Sequence, residues 1–126
     1  MKRFDRKGWE INYRKTHREL KRRINKKYAL NNPWMIVYSN AKQRCTNPND
    51  SQYKNYGMRG IKFLLTKEEI KSIWLRDKAH LLKRPSIDRI DNDGNYCLEN
   101  CRFIELSANV AERNTRIAKT IRMLLN

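Results

Sequence analysis

Apolar residues recur along this chain at helical spacing in some stretches and as short β-compatible runs in others. Glu10 to Tyr28 contains neither Gly nor Pro and places Tyr13, His17, Leu20 and Ile24 at i, i+4, i+7 and i+11, which predicts a helix. Asn32-Pro33 has the chemistry of an N-cap followed by Pro at the first helical position. The predicted second helix carries Trp34, Val37, Tyr38, Ala41 and Cys45 on one core-facing side. Thr46-Asn47-Pro48-Asn49-Asp50 breaks the pattern, and Tyr56 to Phe63 is expected to lead into a short strand. Thr66 with Glu69 three residues on forms a capping box, launching a helix with Ile70, Ile73 and Trp74 inward.

The last third changes rhythm. Lys83-Arg84-Pro85 ends the preceding region, and Ile87 and Ile90 flank Asp88-Arg89 in a β-compatible segment. Asn92-Asp93-Gly94-Asn95 is turn chemistry, because these residues tolerate positive φ, so a short hairpin to a second strand at Cys101 to Ile104 is expected. From Leu106 the apolar positions Leu106, Val110, Ile117, Ile121 and Leu124 predict a closing amphipathic helix. Asn109, Arg113 and Arg116 fall on an adjacent face of it, at i, i+4 and i+7.

This strand, turn, strand, helix order, with Asp88, Asn100 and Asn109 spaced along it, resembles the HNH endonucleases, specifically the small versions carried by bacteriophages and mobile introns. The likeness extends upstream through Trp34, Arg44-Cys45, Tyr53, Tyr56-Gly57-Met58-Arg59-Gly60-Ile61 and Trp74, and so covers about residues 33 to 116. It implies an α+β fold: a small, mainly helical domain with a C-terminal ββα-metal unit at about residues 86–118. It also implies a divalent-metal-dependent DNA endonuclease with one Mg²⁺ or Mn²⁺ ion held by Asp88 and Asn109. Asn100 is then the middle Asn that buttresses the loop. The domain implied is 33–126, preceded by a basic helical extension at 1–32.

The resemblance breaks at one position. The family's usual first His, which deprotonates the attacking water, is Arg89 here. Arginine stays protonated and cannot serve as an ordinary general base. Three readings follow: hydroxide supplied by the metal without a protein base, Asp91 as the base, or a protein that binds nucleic acid and no longer cuts. His80 is a more distant candidate for the base. A bland hairpin turn is the structural alternative for the loop as a whole. A calcium-binding EF-hand is excluded, since its spacing would put Arg89 at the first ligand position.

Charge widens the picture. There are 29 basic and 13 acidic side chains in 126 residues, a net of +16, which favours a polyanionic partner. Residues 1–32 carry 12 Lys or Arg against Asp5, Glu10 and Glu19, a net of +9. Double-stranded DNA is the expected partner and RNA the second, with Arg22, Arg23, Lys26, Lys27, Arg59, Arg102, Arg113 and Arg116 as phosphate-facing cations. A monomer or weak dimer is expected. No apolar run suggests a signal peptide or a membrane span, and a cytoplasmic protein is expected. Cys45, Cys97 and Cys101 do not form a paired framework, so reduced thiols are expected and structural zinc is not.

Overall fold

The computed structural model describes residues 2–125. The chain divides into two compact units, Met1–Pro33 and Trp34–Asn126.

The first unit is one helix, α1 (Arg6–Asn31), which begins four residues before the predicted start. Asp5 caps it, its carboxylate accepting the Gly8 amide at 3.0 Å. No residue of α1 is buried. Trp9, Tyr13 and His17 stack in succession along it, with ring centroids 5.2 and 4.7 Å apart. Asn32 closes α1: its backbone and side-chain N–H groups both donate to the Tyr28 carbonyl at 2.9 Å. The second helix begins at Trp34, one residue after the expected start at Pro33.

The second unit is α+β and mainly helical. Its elements are α2 (Trp34–Thr46), α3 (Lys67–Arg76), β1 (Pro85–Arg89), β2 (Cys101–Glu105) and α4 (Leu106–Leu125). The strand expected near Phe63 is instead a pair of 3-10 turns, Tyr53–Asn55 and Gly57–Arg59, ended by Gly60 at φ 83°. Phe63 contributes only an isolated bridge, to Tyr96. The capping box opens α3 as expected, with Thr66 and Glu69 each accepting the other's backbone N–H. Ile70, Ile73 and Trp74 are buried, and each isoleucine contributes roughly 1.5–3 kcal/mol by leaving water.

β1 and β2 pair antiparallel, with Asp88 opposite Arg102 and Arg89 opposite Cys101. This register corrects the short hairpin, because residues 90–100 all lie between the strands. The turn chemistry is present, but Tyr96 is drawn to another partner: its N–H donates to Lys62 O at 3.0 Å and its carbonyl accepts from Leu64 N at 2.8 Å. A long loop results. Gly94 does not have positive φ, contrary to the turn argument; among the described residues only Lys78 and Gly60 do. Gly94 is needed for space, since a Cβ there would lie 2.7 Å from Asn100 Nδ2.

Strand alternation then sorts the sheet. Ile87, Cys101 and Phe103 join the core with α3, and Trp74 meets Phe103 edge-to-face at 5.0 Å. Ser86, Asp88 and Arg102 lie on the other face, where Ser86 and Arg102 hydrogen-bond to residues of α4. No helix among the described residues is long and apolar enough to cross a membrane.

Candidate functional site

Asp88 is the buried acid of the sheet, only 6% exposed. Its Oδ2 accepts from Arg102 Nε at 2.9 Å, and Arg102 Nη2 continues to Glu112 of α4 at 3.1 Å. A buried carboxylate needs such a partner, and this one also fixes its rotamer. Among the described residues Asp88 Oδ1 makes no hydrogen bond. Arg102, expected to face phosphate, is engaged by two carboxylates and positions Asp88.

Asn109 sits in the first turn of α4. Its Nδ2 donates to Ser86 Oγ at 2.8 Å and to the Ile87 carbonyl at 3.3 Å. A carbonyl only accepts, so this pair assigns nitrogen to the strand side and leaves the amide oxygen as the free end. Asn109 and Asp88 line one cleft of about 1060 Å³, with Arg89, Arg59, Arg113 and Arg116 also in its walls.

The remaining expected residues divide. Asn100 is a latch: its Oδ1 accepts from Asp91 N at 2.8 Å, and its Nδ2 donates to Asp91 O and Asn95 O at 3.0 and 2.9 Å. Asp91 is exposed, accepts the Asp93 N–H at 3.0 Å and does not line the cleft. His80, in the 3-10 turn Ala79–Leu81, is not in the cleft either. The geometry brings neither candidate base to the Asp88–Asn109 pair. Arg59 is tied to Asp93 at 2.8 Å and to the Asn55 carbonyl at 3.1 Å. Arg22, Arg23, Lys26 and Lys27 are exposed on α1.

Arg89 is 7% exposed and occupied by the loop. Its guanidinium donates to Gly94 O at 2.9 Å and Asn92 Oδ1 at 3.4 Å. It also lies over the rings of Tyr56 and Tyr96, 5.1 and 5.2 Å from their centroids. Beside it, Arg44 sits 5.0 Å from the Tyr56 centroid and donates to Tyr96 Oη at 3.3 Å. Burial pushes the Tyr96 phenol up to about 12, so it stays protonated. Sequence reasoning noted Arg44 and Tyr56 but did not join them to each other or to Tyr96. The elements that carry them are far apart in the chain, and no spacing rule connects them.

Cys101 is a core thiol pushed up to about 12 by burial. Among the described residues no three His, Cys, Asp or Glu side chains gather into a metal-holding group. The Asp88–Asn109 pair is a smaller set of one carboxylate and one amide oxygen. Such hard oxygen donors fit Mg²⁺ or Mn²⁺, which keep several waters and share substrate phosphate oxygens. Comparison with protein-family models, curated proteins and solved structures finds no match to this chain.

Proposed function

We propose that the protein is a divalent-metal-dependent DNA endonuclease of the HNH-like ββα-metal type, with β1, β2 and α4 as the metal-binding unit. The observation that carries this reading is the meeting of Asp88 and Asn109 in one arginine-lined cleft. Asp88 Oδ1 and the Asn109 amide oxygen would hold the ion. Arg102 holds Asp88 in place, and Ser86 with the Ile87 carbonyl turns the Asn109 oxygen outward. When bound, Mg²⁺ or Mn²⁺ neutralises charge at the scissile phosphate and makes water more acidic. Arg113 and Arg116, which have no ion-pair partner among the described residues, attract the strand.

Asp88→Ala or Asn109→Ala should abolish plasmid nicking in Mg²⁺ or Mn²⁺ while leaving duplex affinity in chelator nearly unchanged, because an oxygen donor is lost and the basic surface is kept. Nicking at the wild-type rate by both variants would eliminate the site. A second reading, a nucleic-acid-binding protein without cleavage, is favoured by one observation: Arg89, where the family has a base, is locked into the loop. Wild-type inactivity with every divalent ion, alongside tight duplex binding, would select it.

A further inference from the structure

Five arginines line the cleft, and they are not equivalent. Arg59 is neutralised by Asp93. Arg89 spends donors on Gly94 and Asn92. Arg113 and Arg116 stand on the exposed surface of α4 and must lose side-chain freedom to hold a ligand. Arg44 differs from all of these. It is partly buried, fixed by the Tyr56 face and the Tyr96 hydroxyl, and paired with no carboxylate among the described residues. Its Nε is buried without any acceptor among the described residues.

A guanidinium that is desolvated, immobilised and electrically uncompensated is costly unless something supplies negative charge. Arg89, which also lies over the Tyr56 and Tyr96 rings, adds a second positive charge nearby. We infer that Arg44 is a preorganised phosphate-binding residue, whose cleft-facing edge takes a strand phosphate in the same cleft as Asp88 and Asn109. This inference rests on the nucleic-acid reading above but not on cleavage. The ligand chemistry is a phosphate oxyanion, which matches the planar guanidinium fork as carboxylates do and as an ammonium does not. Little side-chain entropy remains to be lost on binding, since the tyrosines already hold the group. The platform is thus a positioning device, and Arg44 is the part of it that touches the strand.

The test is run in chelator, so that binding is read without cutting. The Arg44 Nε–H resonance of ¹⁵N-labelled wild type should move and saturate as a short DNA duplex is added. A resonance that stays fixed as the duplex binds overturns the inference. Saturation by inorganic pyrophosphate but not by duplex would mark a free-phosphate site and overturn the strand assignment. Arg44→Lys should weaken duplex binding about tenfold, since charge is kept but the fork is lost. Tyr96→Phe should weaken binding about threefold, less than Arg44→Lys, because it loosens the guanidinium but keeps the fork. Equal losses in the two variants would make Arg44 merely structural. A wild type that moves the Arg44 signal but never cuts would sink the nuclease reading and leave this one standing.

Discussion

At the residue scale, the question is what Arg89 does if it cannot take a proton. Its donors reach Gly94 O and Asn92 Oδ1, and both tyrosine rings face it, so the side chain fastens residues 92–94 to the rest of the unit. An imidazole is too short to keep these contacts together. Arg89→His should therefore lower stability by about 1–3 kcal/mol, the range for leaving a buried carbonyl unsatisfied, and should not raise the cleavage rate. Denaturant melts and single-turnover rates measured on one preparation decide it: an unchanged midpoint with faster cutting would show that Arg89 merely occupies the place of a base. The pattern Asp-Arg was legible in the sequence, whereas its meaning was not. A guanidinium in a linear motif looks available to phosphate. Only the fold reveals whether its donors are already taken, as those of Arg102 are by Asp88 and Glu112.

At the scale of elements, what was legible depended on whether the cause was local. The capping box at Thr66 and the buried stripe of α3 follow from residues three and four apart, and both are present. The loop at 90–100 is set by Tyr96 pairing beside Phe63, more than thirty positions away, which no turn rule contains. Another non-local joint ties α3 to β2. Asp77, at the end of α3, accepts from Arg76 Nε at 2.8 Å and from the Phe103 amide at 2.8 Å. Burial alone would raise the Asp77 pKa, but the Arg76 and Phe103 hydrogen bonds outweigh it and hold the carboxyl below its ordinary value. A depressed folded pKa means that this joint is at full strength above the unfolded value, near 4, and weakens as pH falls through the lower folded one. Asp77→Asn should lower stability at neutral pH and flatten the loss between about pH 4 and the acid limit. Equilibrium unfolding across that range checks it, and parallel curves for wild type and variant would remove Asp77 from the acid response.

At the scale of the whole molecule, charge is the dominant fact, and little of it is paired. Most of the 29 basic side chains have no carboxylate partner among the described residues, and the net of +16 opposes compactness unless a polyanion is near. The two units carry this charge differently. The Trp34–Asn126 unit has its own core, whereas α1 buries no residue and holds Arg22, Arg23, Lys26 and Lys27 in water. The core of the Trp34–Asn126 unit is built without α1 residues, and the composition of α1 suits phosphate contacts. Removing residues 1–32 should leave the thermal midpoint of the remainder close to that of the full chain while weakening duplex binding. If about five of its cations touch phosphates, the slope of log affinity against log salt should become shallower by roughly 4 to 5 units, one counterion being released for each contact. A salt titration of both proteins in chelator reads this directly. An unchanged slope would place the phosphate contacts wholly in the Trp34–Asn126 unit, leaving Arg113, Arg116 and Arg44 to carry them. A collapsed thermal midpoint would instead show that α1 supports the fold, and the loss of affinity could then not be assigned to its charge.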